Sequence, residues 1–332
     1  MISSILLSGC SNSEFAGGGT EIPDTLIVDA ELPQDVPSEV SIYKVSYKNF
    51  DSDELLEIFD MVPVSSSERD AFGQRYESGN SVLYVHDDEG VLKGGFSYIK
   101  ESGNEASGLI RNYCNTDQID EKSSDAAYGE ETLSFLDEIG LEELKVDRAY
   151  EFSGEELIEF LKTSDIFAGS EEIAENSNIN PEDTYFGVFL LQYIDSIPLS
   201  EILWDYKSGE QTYTTAQATI LENEVIESRF IRLYDAEQEI RKDKILSPEA
   251  ALDVFVDDYN KKLELTATTV TDISFRYVVT RDKNGMYAQP AYIIQYEYLA
   301  EYANLPEPEL TKETKVISAR TGEFILSAEV GI

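Results

Sequence analysis

Chemistry in this 332-residue chain would have to start from few side chains. His86 is its single histidine, so a histidine-based triad must use it and a multi-histidine metal site is excluded. It stands at the end of an apolar strand beside a DDEG turn, the position of a half-exposed strand-end residue. Ser97 and Lys100 have the S-x-x-K spacing in which a lysine serves a serine nucleophile. That pair works at the start of a helix, whereas this stretch reads as strand, and neither S-D-N nor K-T-G accompanies it. Asp282 to Gly285 matches part of a twelve-residue calcium loop. Position one of such a loop would be Thr280 and position twelve Ala291, where a bidentate glutamate belongs, so the segment reads as a hairpin turn. With 66 acids in the chain, close carboxylate pairs of the glycosidase kind arise everywhere and the sequence selects none. There is no phosphate-binding loop and no dinucleotide fingerprint. The expectation is a chain with no catalytic residues, no cofactor and no metal site.

Two thiols remain. Leu7-Ser8-Gly9-Cys10 resembles the lipobox of bacterial lipoproteins, in which a leucine and two small residues precede a cysteine that is lipidated and becomes the mature N-terminus. All four positions match. Upstream, Met1 to Leu7 has no Lys or Arg and is shorter than the apolar stretch of a secretory signal. The resemblance implies that Cys10 carries a diacylglyceryl thioether, the sole membrane attachment, on the outer face of the cytoplasmic membrane of a Gram-positive bacterium. Cys114 then has no partner, which excludes a disulfide scaffold and leaves a small buried hydrophobe. No later apolar run approaches the roughly 20 residues that span a bilayer.

The formal charge of −41 repels phosphate backbones and anionic headgroups, so nucleic acid and a basic membrane-binding face are excluded as partners. The acids are spread through segments such as DSDELLEIFD and SGEELIEFLK, which is the pattern of solvated helix faces.

The elements that must position these residues are legible in outline. Residues 1–9 are the residual signal segment, and 10–38, rich in Ser, Gly, Glu and Pro, form a tether in which TLIV makes a short strand. Residues 39–125 read as a small α+β unit: a strand, a helix opened by Asp51, a hairpin on either side of DDEG, and a further strand at GLIRNYCN. The remainder reads as one design used twice, a helix followed by four antiparallel strands, over 126–240 and 241–332. In the second copy Ser247 is the N-cap, Pro248 the first helical residue, and Ala251, Val254, Phe255 and Tyr259 the apolar stripe.

The second copy, with SPEAAL, Gln289-Pro290-Ala291-Tyr292 and SARTGEF, resembles a PepSY-type domain. The first, with YFGVFLLQYIDSIPL, is similar to the corresponding strand and Ile-Pro turn of the YycH/YycI family. The resemblance implies an α+β fold of tandem PepSY-like units, each a helix on a curved antiparallel sheet, in extracytoplasmic proteins that restrain peptidases or histidine kinases without catalysis of their own.

Alternating aromatics at Tyr292, Tyr296 and Tyr298, and at Tyr185, Phe189 and Tyr193, are read as the layer packed beneath each helix. Trp204 is open to two readings, a contact anchor or a core edge. Two functions follow. One is a non-enzymatic envelope lipoprotein that binds another envelope protein or peptide, with Trp204 and the last hairpin, Val316, Thr321, Gly322 and Phe324, as its surface. The other is a glycan- or peptide-binding lipoprotein, or a carboxylate-dependent hydrolase. The first needs an exposed patch or sheet edge, the second a concave pocket with convergent polar groups.

Overall fold

The computed structural model describes residues 22–87, 90–101, 104–114, 119, 122–124, 126–128, 133–163, 177–200, 202–205, 210–213, 215–261, 267–300 and 308–325. The lipobox, including Cys10, lies outside them.

In chain order, β1 (Leu26–Val28) and β2 (Glu39–Tyr47) precede α1 (Ser52–Ile58). The Asp51 carboxylate caps α1 by accepting from the backbone N–H groups of Asp53 and Glu54, which suits an acidic first turn. Then come β3 (Ser66–Asp70), β4 (Gly73–Ser78), β5 (Ser81–His86) and β6 (Gly95–Lys100), followed by α2 (Asn104–Tyr113) and the single turn α3 (Phe135–Glu138). Next are β7 (Leu144–Ser153), α4 (Gly154–Thr163), β8 (Thr184–Ile194) and β9 (Ile197–Pro198). The strands β10 (Ile202–Asp205), β11 (Glu210–Tyr213), β12 (Thr215–Leu221), β13 (Glu224–Ile231) and β14 (Tyr234–Lys244) follow. The chain ends with α5 (Pro248–Asn260), β15 (Thr268–Asp282), β16 (Gly285–Ala300) and β17 (Glu309–Ser318).

The chain forms two compact units, Met1–Tyr43 with Glu239–Ile332, and Lys44–Gln238. In the first, the sheet order is β1-β15-β16-β2-β14, with β17 also paired to β16. Its core lies under α5: Ala251, Leu252, Phe255, Val256 and Tyr259 meet Val270, Ile273, Tyr292, Ile294, Tyr296 and Ile317. Ser247 caps α5 by accepting from the Ala250 N–H, with Pro248 in the first turn. The TLIV segment is β1, parallel to β15, and Leu26 is fully buried.

In the second unit a nine-stranded sheet runs β3-β4-β5-β6-β13-β12-β8-β7, with β9 on β8. Apolar residues alternate along its strands between two cores. Leu83, Val85, Phe96, Tyr98, Val188 and Phe230 pack with Leu55 and Leu56 of α1 and with Phe135 and Leu136 of α3. On the opposite face Tyr150, Phe152 and Tyr185 pack with Ala106, Leu109 and Ile110 of α2 and with Leu157, Phe160 and Leu161 of α4.

This corrects the expected fold class. The protein is mostly β, with 51% of the described residues in strands and 19% in helices around two large sheets, and it is not an α+β tandem of PepSY-like units. Strands assigned to residues 39–125 and to 126–240 lie in one sheet, joined where β6 pairs with β13. The strand β2 pairs into the sheet of the C-terminal segment. GLIRNYCN is also not a strand: Ala106, Leu109, Ile110 and Tyr113, at helical spacing, form the buried stripe of α2.

Candidate functional site

The hairpin of β5 and β6 sets His86 opposite Gly95 and Tyr84 opposite Ser97. Pairing of β6 with β13 sets Ser97 opposite Arg229 and Ile99 opposite Glu227. Cross-strand partners share a face, as do alternate residues along each strand. His86, Tyr84, Ser97, Ile99, Arg229 and Glu227 therefore project from the face that carries α2, away from the core of Phe96 and Phe230. Gly95 permits the close approach of the strands, since a Cβ there would fall 1.9 Å from the Phe230 carbonyl oxygen.

His86 and Ser97 are both buried, at 3% and 8% exposure. Nδ1 of His86 lies 2.8 Å from the Phe72 carbonyl oxygen. A carbonyl only accepts, so Nδ1 carries the proton. Nε2, 2.9 Å from Ser97 Oγ, is then the acceptor of the neutral ring, and the Ser97 hydroxyl donates to it. Burial holds the imidazole pKa below its ordinary value; the Phe72 carbonyl opposes this, Arg229 adds to it, and Asp87 and Asp70 oppose it.

These groups line a cavity of about 240 Å³. Its apolar wall is Phe72, Tyr84, Leu92 and Ile99, and its polar groups are His86, Ser97, Arg111, Glu227 and Arg229. Tyr84 stacks on His86 with ring centroids 6.4 Å apart, and Phe72 meets Tyr84 edge-on. Arg111, reaching from α2, donates to both carboxylate oxygens of Glu227. Among the described residues Arg229 has no ion pair. Burial lowers its pKa from the usual guanidinium value, repulsion from Arg111 lowers it further, and Glu227 opposes both.

The residues singled out in the sequence fall as follows. His86 is at a strand end but buried rather than half-exposed. Ser97 meets His86 and not Lys100, which lies three residues on, faces the other way and pairs with Glu224. Burial pushes the Cys114 thiol up to about 12, with Arg148 and Lys122 opposing. Trp204 is in β10 opposite Gln211 of β11; its side chain lies outside the described residues. Val316 is core, packed with Val278, Ala291 and Ile293. Phe324 packs on the α5 core, and a Cβ on Gly322 would meet Leu246 and Val254, so of the proposed hairpin surface only Thr321 is exposed. Tyr292 and Tyr296 are buried beneath α5. Asp282 to Gly285 is the β15–β16 turn. The sequence reading missed Tyr84, Arg111, Glu227 and Arg229. Strand alternation in SVLYVH and GFSYIK was the available signal for Tyr84 beside Ser97, and nothing local pointed to β13.

No protein-family model matches this sequence, and no curated protein matches it. Its fold is similar to that of an uncharacterized protein from Eubacterium rectale ATCC 33656, solved at 1.45 Å, with a TM-score of 0.64 and 16% identity over 92% of this chain and 91% of that one. At that identity the likeness is one of fold.

Proposed function

We propose that this chain is a non-enzymatic, extracytoplasmic lipoprotein that binds a small organic anion in the cavity between β5, β6, β13 and α2. The observation that carries this reading is Arg229: a half-buried guanidinium with no ion pair among the described residues, lining a concave pocket with convergent polar groups and an aromatic wall. Burial and the neighbouring Arg111 both disfavour the charge on Arg229, and a bound anion offsets that cost. Such a pocket is what a ligand-binding lipoprotein requires, whereas three of the four residues expected to form a docking hairpin are packed inward. Phe72 extends the aromatic wall to the surface, at 48% exposure, and suits an apolar portion of the ligand.

A binding role fits this site better than catalysis. Ser97 lies within β6, which pairs on both sides, so its backbone N–H groups are engaged in the ladders rather than arranged as an oxyanion hole. Glu227 is held by Arg111 and is not placed as a free carboxylate for acid–base work. The lipid anchor rests on the lipobox at Leu7 to Cys10.

Calorimetric titration of phenylacetate into the purified protein tests the reading. Saturable binding is expected, weakened roughly tenfold or more by Arg229→Gln, as loss of a charge-assisted hydrogen bond requires. Wild-type protein that binds no such acid, or equal binding by a folded variant, would overturn it.

A further inference from the structure

We infer that, at neutral pH, the cavity selects an organic anion bearing a hydroxyl beside its carboxylate, a 2-hydroxy acid, over the corresponding simple acid. The inference rests on the anion-binding reading and adds the ligand's class to it. A serine hydroxyl has one proton to give and two lone pairs to offer. The Phe72 carbonyl fixes the proton of neutral His86 on Nδ1, so Nε2 takes the one proton of Ser97. Towards the cavity Ser97 is therefore an obligate acceptor.

The register sets this acceptor directly opposite Arg229. A plain carboxylate on Arg229 would leave its neighbouring carbon facing the Ser97 oxygen, whose one hydrogen bond is the proton given to His86, and would forgo the bond its lone pairs can accept. A hydroxyl on that carbon supplies the missing donor. An ammonium would supply one too, but it would bring a second cation against Arg229 while the carboxylate of Glu227 is already held by Arg111. The neutral donor is the one that fits. The cavity of about 240 Å³ is smaller than the roughly 300–1,000 Å³ of drug-sized sites, which limits the ligand to a small acid, and the wall of Phe72 and Tyr84 accommodates an apolar or aromatic substituent.

The test compares 2-hydroxy-2-phenylacetate, each enantiomer separately, with phenylacetate by calorimetry at pH 8. The two acids share ring and carboxylate and differ in the hydroxyl. For wild-type protein one enantiomer is expected to bind about tenfold more tightly than phenylacetate, and Ser97→Ala is expected to bring that ratio close to one. Phenylacetate binding as tightly as both enantiomers would overturn the inference and leave the anion reading standing. So would a preference that survives Ser97→Ala. Absence of binding by all three acids would overturn both.

Discussion

Arg111 of α2 and Glu227 of β13, 116 residues apart in sequence, meet with one guanidinium nitrogen on both carboxylate oxygens. Glu227 is 2% exposed, so the pair joins α2 to the sheet at the edge of the cavity and neutralises a charge that water does not reach.

Removing one partner of such a pair leaves the other buried and unpaired, which costs about 3–5 kcal/mol. Arg111→Ala is expected near the lower end, about 3 kcal/mol, because the arginine itself is partly exposed. Urea unfolding followed by circular dichroism measures it. Arg111→Met combined with Glu227→Leu should recover most of the loss, which a purely steric role for Arg111 would not allow.

His86 makes both stability and selectivity depend on pH. Its folded pKa lies below the ordinary value, chiefly through burial, so protonation favours the unfolded chain. Its contribution is complete above about 6.5 and is lost as pH falls through the folded value. His86→Gln should flatten that part of the profile in thermal unfolding between pH 8 and pH 5. Protonation also turns Nε2 into a donor to Ser97, which frees the Ser97 proton for the cavity. The preference for a hydroxy acid over the simple acid should therefore shrink as folded His86 takes up its proton, followed through the NMR signals of its ring, and a ratio of affinities unchanged through that titration would contradict the hydrogen-bond directions described above.

Local signals were legible where the structure is local. Asp51 and Ser247 cap their helices as their types and positions require, and the DKNG turn closes the β15–β16 hairpin because the flanking residues alternate. Pairing between distant strands left no such trace. β6 and β13 belong to segments more than a hundred residues apart, and nothing in GFSYIK or EVIESRFI says that they are neighbours, so two sheets were read as three small units. The site divides the same way. His86 and Ser97 are set by one hairpin and were within reach, but the S-x-x-K spacing directed attention to Lys100, on the opposite face. Arg111 and Glu227 carry no local motif, and only burial and register make them a pair.

Ser247→Ala removes the acceptor for the Ala250 N–H and should cost about 1 kcal/mol, measured by denaturant unfolding. Ser247→Asp should retain stability, since the carboxylate accepts the same bond and favours the positive end of α5.

Lipidation at Cys10 is expected to place the protein in the detergent phase when it is produced in a Gram-positive host with a secretory signal. Cys10→Ala should release it to the aqueous fraction. A mutant that stays with the membrane would remove the anchor from the proposal.

The most direct test of the binding account is a crystal structure of the protein grown with 2-hydroxy-2-phenylacetate. The account requires the carboxylate within about 3 Å of the Arg229 guanidinium and the hydroxyl at a similar distance from Ser97 Oγ, with the ring against Tyr84 and Phe72. A ligand absent from this cavity at saturating concentration, or one whose carboxylate points to solvent away from Arg229, would contradict it.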